Sequence, residues 1–536
     1  MTTVAEQTTV SLDRSTMLEQ IRDKSGPWDI VIIGGGASGL GAAVDAASRG
    51  YSTLLLEQVD FSKGTSSRST KLVHGGVRYL EQGNIKLVLE ALYERGLLLK
   101  NAPHLVHDQT FVVPAYSYFQ MAFFGAGLKT YDLLARKLSF GKSLLLSRRE
   151  AIERIPNLDP KGLKGGILYH DGQFDDSRLA LNLAQTAAEH GVVLINYMPV
   201  TGLVKTEGRV TGVEAQDLES GETFRIPAKV VINATGPFAD SIRKMDDPAA
   251  QKTISASQGI HLVLDRSFLA GDTAIMVPKT DDGRVLFAIP WHDHVVVGTT
   301  DTPIADITLE PRPLQEEIDF VLSHARRYMT KDPQPSDVLS VFVGIRPLVS
   351  NPEATTTAAI SRDHSLFVSQ GNLVTICGGK WTTYRRMAED TVNKAAEVAG
   401  LEKRPAGTKD MRVHGYVPKP LDDHRLAVYG YDADALVALE RSAPQLVERI
   451  HPNLPVTRGQ IVWAARYEMA RTVEDALSRR TRALLLGAKA SEEAAPLVAE
   501  LMAQELGRDE AWQEAQVGEF QELAKQYQLE DATALP

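Results

Sequence analysis

The stretch Trp28–Glu57, WDIVIIGGGASGLGAAVDAASRGYSTLLLE, decides the fold. Ile30–Ile33 is a short apolar run, suited to a buried parallel strand. It leads straight into a G-x-G-x-x-G turn at Gly34, Gly36 and Gly39. Leu40–Ser48 reads as an alanine-rich helix, and Tyr51–Leu56 as a second strand ending at Glu57. Gly34 permits the turn out of the strand, and Gly36, with Ala37 and Ser38, lets backbone N–H groups approach a pyrophosphate. Gly39 lets helix and strand pack closely. The helix N-terminus adds unpaired N–H groups and a partial positive charge. Glu57 falls where a carboxylate grips the hydroxyl pair of a ribose. A turn that is merely glycine-rich would share the three glycines but not the strand, helix, strand and acidic residue in register. Glu57 also argues against a 2′-phosphate, which leaves FAD or NAD rather than NADP.

The rest of the chain sets bounds. Its 536 residues are too many for one core, so two or three domains are expected. The hydrophobic fraction of 43% and charged fraction of 24% are those of a soluble globular protein. A net charge of −10 argues against a nucleic-acid partner, although not against a local basic patch. With Cys377 as the only cysteine there is no intrachain disulfide; a reducing compartment fits, and so does a thiol that simply packs. Residues 1–27 are polar, without the apolar core of a signal peptide, and read as a flexible arm with one short helix around Thr16–Arg22. The uncharged run Thr110–Leu128 reaches membrane-spanning length, but Pro114, Ser117, Gln120 and two tyrosines exclude a spanning helix.

Three later segments choose FAD over NAD. KVVINATG, Lys229–Gly236, is a buried strand ending in Ala234, Thr235 and Gly236, small enough for backbone to pass close to a cofactor. Gly191–Val204 and Gly208–Asp217 alternate like strands of a meander, with Val200 placed for an adenine to lean on. GNLVTICGGKWTTYRR, Gly371–Arg386, is a strand, a double glycine and a helix start. Its helix N-terminus, with Lys380, Trp381 and Thr382, suits an electron-rich flavin pyrimidine.

IIGGGASGLG, TSSRSTKLVHGGVRYLE, INATGPFAD, FAIPWHDHVVVGTTD, GIRPL and GGKWTTYRRMAED follow one another between about residues 28 and 395. In this order they resemble the FAD-dependent, aerobic, quinone-linked glycerol-3-phosphate dehydrogenases, within the D-amino-acid-oxidase-like flavoproteins. A weaker match, Ala465–Arg482, extends into that family's helical C-terminal domain. The resemblance implies oxidation of sn-glycerol 3-phosphate to dihydroxyacetone phosphate, with hydride to flavin N5 and electrons on to a membrane quinone. A glycerol-3-phosphate oxidase making hydrogen peroxide shares the same reductive chemistry. A flavin-binding module without catalysis, or a nucleic-acid-modifying flavoprotein, are the other readings; the acidic balance counts against the latter.

The resemblance gives the run Thr65–Gly83 two jobs. Thr65, Ser66 and Ser67, on to Thr70, line the flavin phosphates and ribityl chain with hydroxyls, and Lys71, Leu72 and His74 join the cofactor contacts. Gly75 and Gly76 bring backbone close to the isoalloxazine ring. Arg78 and Tyr79 point to the substrate, whose phosphate carries close to two negative charges. Lys380 approaches from the opposite side, making Arg78, Tyr79 and Lys380 a phosphate clamp; otherwise Arg78 only ties the loop to a carboxylate such as Glu81. His261, in an alternating strand, takes the part of general base, and Arg346, between Gly344 and Pro347, holds the alcohol oxygen. His74 competes for the base role. His292 and His294 form an H-x-H pair, but no cysteine or third ligand supports a metal.

The expected fold is α/β and α+β: a Rossmann-type FAD-binding domain of residues 28–100, 175–252 and 345–400, and a mixed-sheet substrate domain of 101–174 and 253–344. A linker, 401–420, leads to a helical C-terminal domain, 421–536, which could brace the fold, form a homodimer or meet a partner. Asp175–Gly191 reads as a crossover helix capped by an aspartate or Ser177. In Tyr118–Lys142, Met121, Phe124, Leu128, Tyr131, Ala135 and Leu138 share one helical face beside Lys129, Arg136, Lys137 and Lys142. That pattern suits an interfacial helix or a core helix; the resemblance favours membrane contact, hence a cytoplasmic, peripheral enzyme on the inner face of the cell membrane.

Overall fold

The computed structural model describes residues 12–76, 83–135, 140–281, 283–350 and 363–529. Two sheets carry the strands. The first runs in the order His364–Val368, Val374–Gly378, Thr223–Asn233, Trp28–Ile33, Thr53–Leu56, Val193–Ile195. Along this path only the His364 edge pair is antiparallel. The Val200–Thr206 and Arg209–Gln216 strands extend Thr223–Asn233 as the antiparallel meander. Ile30, Val31 and Ile32 are fully buried, as an apolar run in a parallel sheet requires. Ile33 pairs with Leu56 on one side and Asn233 on the other. The parallel strands therefore stop level, and Gly34, Glu57 and Ala234 meet at one edge, where open α/β sheets bind their ligands.

Two glycines are forced by this geometry. Gly34 has φ +109°, and a Cβ there would lie 2.7 Å from the Ala234 carbonyl oxygen. A Cβ on Gly39 would overlap the Gly34 carbonyl oxygen, so any side chain would push the helix Ala37–Ser48 off the strand.

The second sheet runs Thr302–Pro303, Ile254–Asp265, His294–Gly298, Leu286–Trp291, Ala274–Val277, Val106–Ala115, Gly165–Phe174, Leu72–Val73. Val338–Val349 pairs with Ile254–Asp265, and Leu144–Ser147 with Gly165–Phe174. Leu72–Val73 thus crosses into this sheet immediately after the hydroxyl-rich loop of the first. Opposite residues on antiparallel strands share a face. The pairs Ser257↔Arg346, Gly259↔Gly344 and His261↔Phe342 therefore lie on one face.

Three expectations change. Residues 12–27 are no arm: the helix Arg14–Arg22 is capped by Asp13 and buries Met17, Leu18 and Ile21. Arg14 holds Asp217 at 2.6 Å and the Asn196 carbonyl at 2.9 Å. In the helix Tyr118–Ala135, the face assigned to the membrane is the core face. Leu128, Tyr131 and Ala135 are buried, Met121 and Phe124 pack on the core, and Leu138 lies outside the described residues. The exposed side carries Tyr118 (74%), Phe119 (77%), Phe123 (50%) and Leu133 (77%) instead. The 3.6-residue period could not choose between them because the helix is apolar on both sides.

The third concerns the amphipathic run from Gly459 to Gly487. It breaks after Arg458–Tyr467, turns at Met469 (φ 52°), and resumes as a π-helical segment, Asp475–Arg480. The charges there face inward. Asp60, in the loop after Thr53–Leu56, accepts from Arg479 at 2.5 Å and from Arg480 at 2.6 and 2.9 Å. The C-terminal region is locked to the cofactor-domain loop by buried ion pairs.

Candidate active site

A cleft of ≈ 310 Å³ opens at the carboxyl ends of the first sheet. Gly34, Gly36, Ala37 and Ser38 of the glycine turn line it, with Glu57, Val200 and the strand-end residues Ala234, Thr235 and Gly236. Thr65 and Ser66, and Lys380 and Trp381 after Gly378 and Gly379, also line it. The helix Ala37–Ser48 begins at Gly36 with no side-chain cap. Of its first amides, that of Ala37 donates to Ser66 Oγ at 2.9 Å. Glu57 is held rigid, one carboxylate oxygen accepting from Gly35 N at 2.6 Å and the other from Val59 N at 3.0 Å. Burial lifts its pKa, against those two backbone donors. Each oxygen keeps a second lone pair for a ribose hydroxyl.

Trp381 Nε1 donates to the Ser66 carbonyl at 2.8 Å, and Thr65 Oγ1 to the Ile345 carbonyl at 2.6 Å. These two bonds tie the hydroxyl loop to both neighbouring segments. A cleft lined by a helix N-terminus, the Glu57 carboxylate and a second helix start has the donor set that suits FAD.

Other expected contacts lie elsewhere. Ser67, Lys71 and Leu72 are turned away from the cleft. Lys71, at φ 63° and fully buried, binds Asp176 Oδ2 at 2.7 Å and the Ser67 carbonyl at 2.8 Å. Burial lowers its pKa to about 8, against the attraction of Asp176. A lysine in a hydroxyl-rich run reads as a cofactor contact; the partner that turns it inward, Asp176, lies 105 residues away. Gly39 supports the turn from behind, and Thr382 is buried beneath it. His74 N donates to Thr382 Oγ1 at 3.1 Å, and Gly75 N to Tyr131 Oη at 2.7 Å, so His74, Gly75 and Gly76 form a backbone segment held from two sides. Arg78 and Tyr79 lie outside the described residues.

The second sheet carries the two residues expected at the reacting centre, His261 and Arg346. His261 is 2% exposed and its ring stacks on Phe342 with centroids 4.8 Å apart. Its Nε2 lies 2.9 Å from Thr70 Oγ1, and its Nδ1 is buried with no hydrogen-bond partner among the described residues. Burial first, then the charges of Lys71 and Arg346, holds its pKa well below 6.5. Arg346 donates to Thr299 Oγ1 at 3.1 Å and lies 3.4 Å from Asp301, which Ser257 Oγ fixes at 2.6 Å. A Cβ on Gly259 would strike the Arg346 guanidinium at 2.5 Å, so that glycine makes room for it. The next residue, Pro347, lines the cleft from the opposite face, so the strand Val338–Val349 runs along the cleft's edge. His292 and His294 form a hairpin turn; His292 bonds Asp175 at 3.0 Å and His294 the His292 carbonyl at 2.7 Å.

The pairing of Thr70 with His261 and the part played by Asp176 escaped sequence reasoning. Asp176 Oδ2 collects Ser69 N, Ser69 Oγ and Lys71 Nζ, and Oδ1 collects Arg482 at 2.9 Å. That hub fixes the loop that carries Thr70 to His261. The D-D pair was legible only as a helix cap, which Asp175 supplies by accepting from Arg178 N.

Residues 29–385 match the FAD dependent oxidoreductase family, and residues 369–514 the C-terminal domain of alpha-glycerophosphate oxidase. The mitochondrial glycerol-3-phosphate dehydrogenase of Macaca fascicularis is 40% identical over 535 residues, covering 93% of this chain and 73% of the relative. The chain belongs to the glycerol-3-phosphate dehydrogenase family of FAD-dependent oxidoreductases. The human mitochondrial member is also 40% identical, across 90% of this chain and 71% of its own. The structure of the Bacillus halodurans glycerol-3-phosphate dehydrogenase complexed with FAD superposes with a TM-score of 0.79 at 29% identity, covering 97% of this chain and 98% of that one. A Mycoplasma pneumoniae L-alpha-glycerophosphate oxidase, at 16% identity and TM-score 0.56 over 73% of this chain and 99% of that one, shares the fold.

Proposed function

We propose that this enzyme oxidises sn-glycerol 3-phosphate to dihydroxyacetone phosphate with FAD as resident cofactor and a membrane quinone as electron acceptor. The observation that supports the reading is a cleft at the glycine turn, bordered at Pro347 by the strand that carries Arg346, in a chain of this family. Gly36, Ala37, Ser38, Glu57, Thr65 and Ser66 would hold the FAD, which when bound supplies the hydride acceptor.

The protein's own groups do the rest. His261 is neutral at physiological pH and so is in its proton-accepting form. The bond between Nε2 and the Thr70 hydroxyl fixes the ring, and the neutral imidazole offers one bare nitrogen to take the alcohol proton. Arg346, braced by Thr299 and Asp301, offers a fixed positive charge to the oxygen as that proton leaves. Lys380, with Arg78 and Tyr79, anchors the phosphate. A sample as purified should be yellow and bleach anaerobically on adding glycerol 3-phosphate; flavin that binds but never bleaches would refute the reading. Arg78→Ala should lower kcat/KM for glycerol 3-phosphate by roughly ten- to a hundredfold, the loss of a charge-assisted contact. Glycerol turnover should fall far less; an equal loss on both substrates would make Arg78 structural.

Membrane docking is assigned to the exposed side of the helix Tyr118–Ala135. Phe119 stacks on Phe123 with ring centroids 6.2 Å apart. Tyr118, Leu144 and Leu145 are likewise exposed, and Gly125 seats Leu145 against the helix. Lys129, Lys142, Arg148 and Arg149 are exposed nearby, a basic rim suited to anionic headgroups. Among the described residues no helix is long and apolar enough to cross a membrane. Phe119→Ser with Phe123→Ser should weaken binding to anionic vesicles at least ~tenfold, since each buried phenyl contributes roughly 1.5–3 kcal/mol. Anaerobic flavin reduction should be unchanged. Unaltered vesicle binding would remove this face from the membrane.

Oxygen as acceptor is the second reading, favoured by the match of residues 369–514 to the oxidase C-terminal domain. Reoxidation of reduced enzyme by a quinone analogue against air-saturated buffer separates the two; fast peroxide formation with slow quinone reduction would select the oxidase.

A further inference from the structure

The helix Tyr118–Ala135 has a second, inward task. Tyr131, fully buried on its core face, accepts a hydrogen bond from Gly75 N at 2.7 Å and donates to Asp171 Oδ2 at 2.9 Å. Asp171 Oδ1 is held by Arg95 at 2.6 Å, both residues being buried. Four segments thus meet in one chain: Arg95 from the helix Ile85–Asn101, Asp171 from the strand Gly165–Phe174, Tyr131, and the Gly75 amide. A Cβ on Gly75 would overlap Tyr131 Oη and lie 2.6 Å from Leu92 Cδ2, so the backbone is pressed directly onto the phenol. Burial first, then Asp171, holds the Tyr131 pKa well above 10, which keeps the phenolic proton in place as the donor. One residue earlier, His74 N donates to Thr382 Oγ1 at 3.1 Å, and Thr382 Oγ1 donates to the His74 carbonyl at 3.4 Å. The loop is therefore fixed at two successive residues by groups from distant parts of the chain.

We propose that Tyr131 is a positioning residue: through Asp171 and Arg95 it sets the Gly75 backbone, and with it the His74–Gly76 segment that meets the reacting end of the site. This rests on the reading of Thr65–Gly83 as the run that meets the flavin at Gly75 and Gly76 and the substrate beyond them. The physical reason for a phenol is reach combined with polarity. Its ring fills the apolar space against Val88 and Leu92, and only its tip is polar. A buried amide left without an acceptor would be free to turn the loop toward any other partner.

The test uses the FAD-loaded enzyme. Tyr131→Phe should exchange the Gly75 amide at least ~tenfold faster by hydrogen-exchange mass spectrometry, and raise the KM for glycerol 3-phosphate about tenfold with kcat within about threefold. Flavin content and vesicle binding should be retained. Asp171→Asn should act in the same direction, and the double variant should be no worse than either single one, because both cut the same chain. If Tyr131→Phe fails to retain flavin, Asp171→Asn, which keeps the phenol, carries the test. Leu128→Ala, another buried position on the same helix face, is the packing control. Unchanged Gly75 exchange, unchanged KM, or equal effects from Leu128→Ala would overturn the assignment. Comparison with Arg78→Ala separates failure of the loop's phosphate role, read from glycerol against glycerol 3-phosphate, from failure of the Tyr131 link, read from amide exchange.

Discussion

His261→Ala is expected to slow anaerobic flavin reduction by glycerol 3-phosphate by ~10²–10⁴, the usual contribution of a positioned base. Flavin content should be retained, because the ring lies on the second sheet, outside the residues that line the cleft. The deletion leaves a gap against Phe342 and frees Thr70, so a modest stability loss is also expected. The pH dependence carries a sign. The His261 pKa is held below 6.5 by burial, Lys71 and Arg346, so the base form persists as pH falls through neutrality. In the free wild-type enzyme, the acid limb of kcat/KM should therefore lie below pH 6.5, and His261→Ala should remove it. Single-turnover mixing across pH settles the point; an unchanged reduction rate would pass the base role to His74 or to water. Thr70→Val provides a companion test, since it removes the bond that fixes the His261 ring while keeping the side-chain volume.

Much of this was legible in the chain. The glycine turn from Gly34 to Gly39 and the acidic end of the second strand follow from local sterics and charge, which a short window contains. Strand alternation likewise put His261 and its neighbours on opposite faces. What was not legible depends on partners far away in sequence. Lys71 reads as a cofactor contact until Asp176 and the Ser67 carbonyl are seen to hold it. The helix Tyr118–Ala135 is apolar all round, so its period cannot say which side meets the core. Arg479, Arg480 and Arg482 are each nearly fully buried, because Asp60 and Asp176 reach them from distant parts of the chain. A local pattern encodes the preference of a segment, whereas a buried ion pair is decided by the segment that comes to meet it.

That distinction makes Asp60 the position whose loss should cost most stability. Its two oxygens neutralise Arg479 and Arg480, and Asn196 Nδ2 donates to Oδ1 at 3.3 Å. Around it, Glu474 is shared by Arg479 and Lys63, and Glu310 by Lys63 and Arg68. Asp60→Ala leaves two buried guanidinium groups without this counterion, for which a destabilisation of ~3–5 kcal/mol is expected. Lys63 and Thr65 line the cleft a few residues on, so flavin should be released at lower temperature as well. Burial raises the Asp60 pKa, but Arg480 and Arg479 outweigh it and hold the carboxyl well below the usual range. Asp475, buried beside it, is pushed up instead, by burial and by the Asp60 charge. A depressed pKa contributes stability in full above the unfolded value, about 3.9, and loses it as pH falls toward the folded one. The deficit of Asp60→Ala against wild type should therefore stay flat from neutral pH down to about 4 and narrow below it. Thermal and denaturant unfolding of the FAD-loaded proteins across that range measures both. Asp410→Ala supplies the contrast: its pair with Lys100 is exposed, at 79% and 60%, and its loss should change nothing measurable. A deficit at Asp60 no larger than at Asp410 would mean that the C-terminal region is held by its apolar contacts alone.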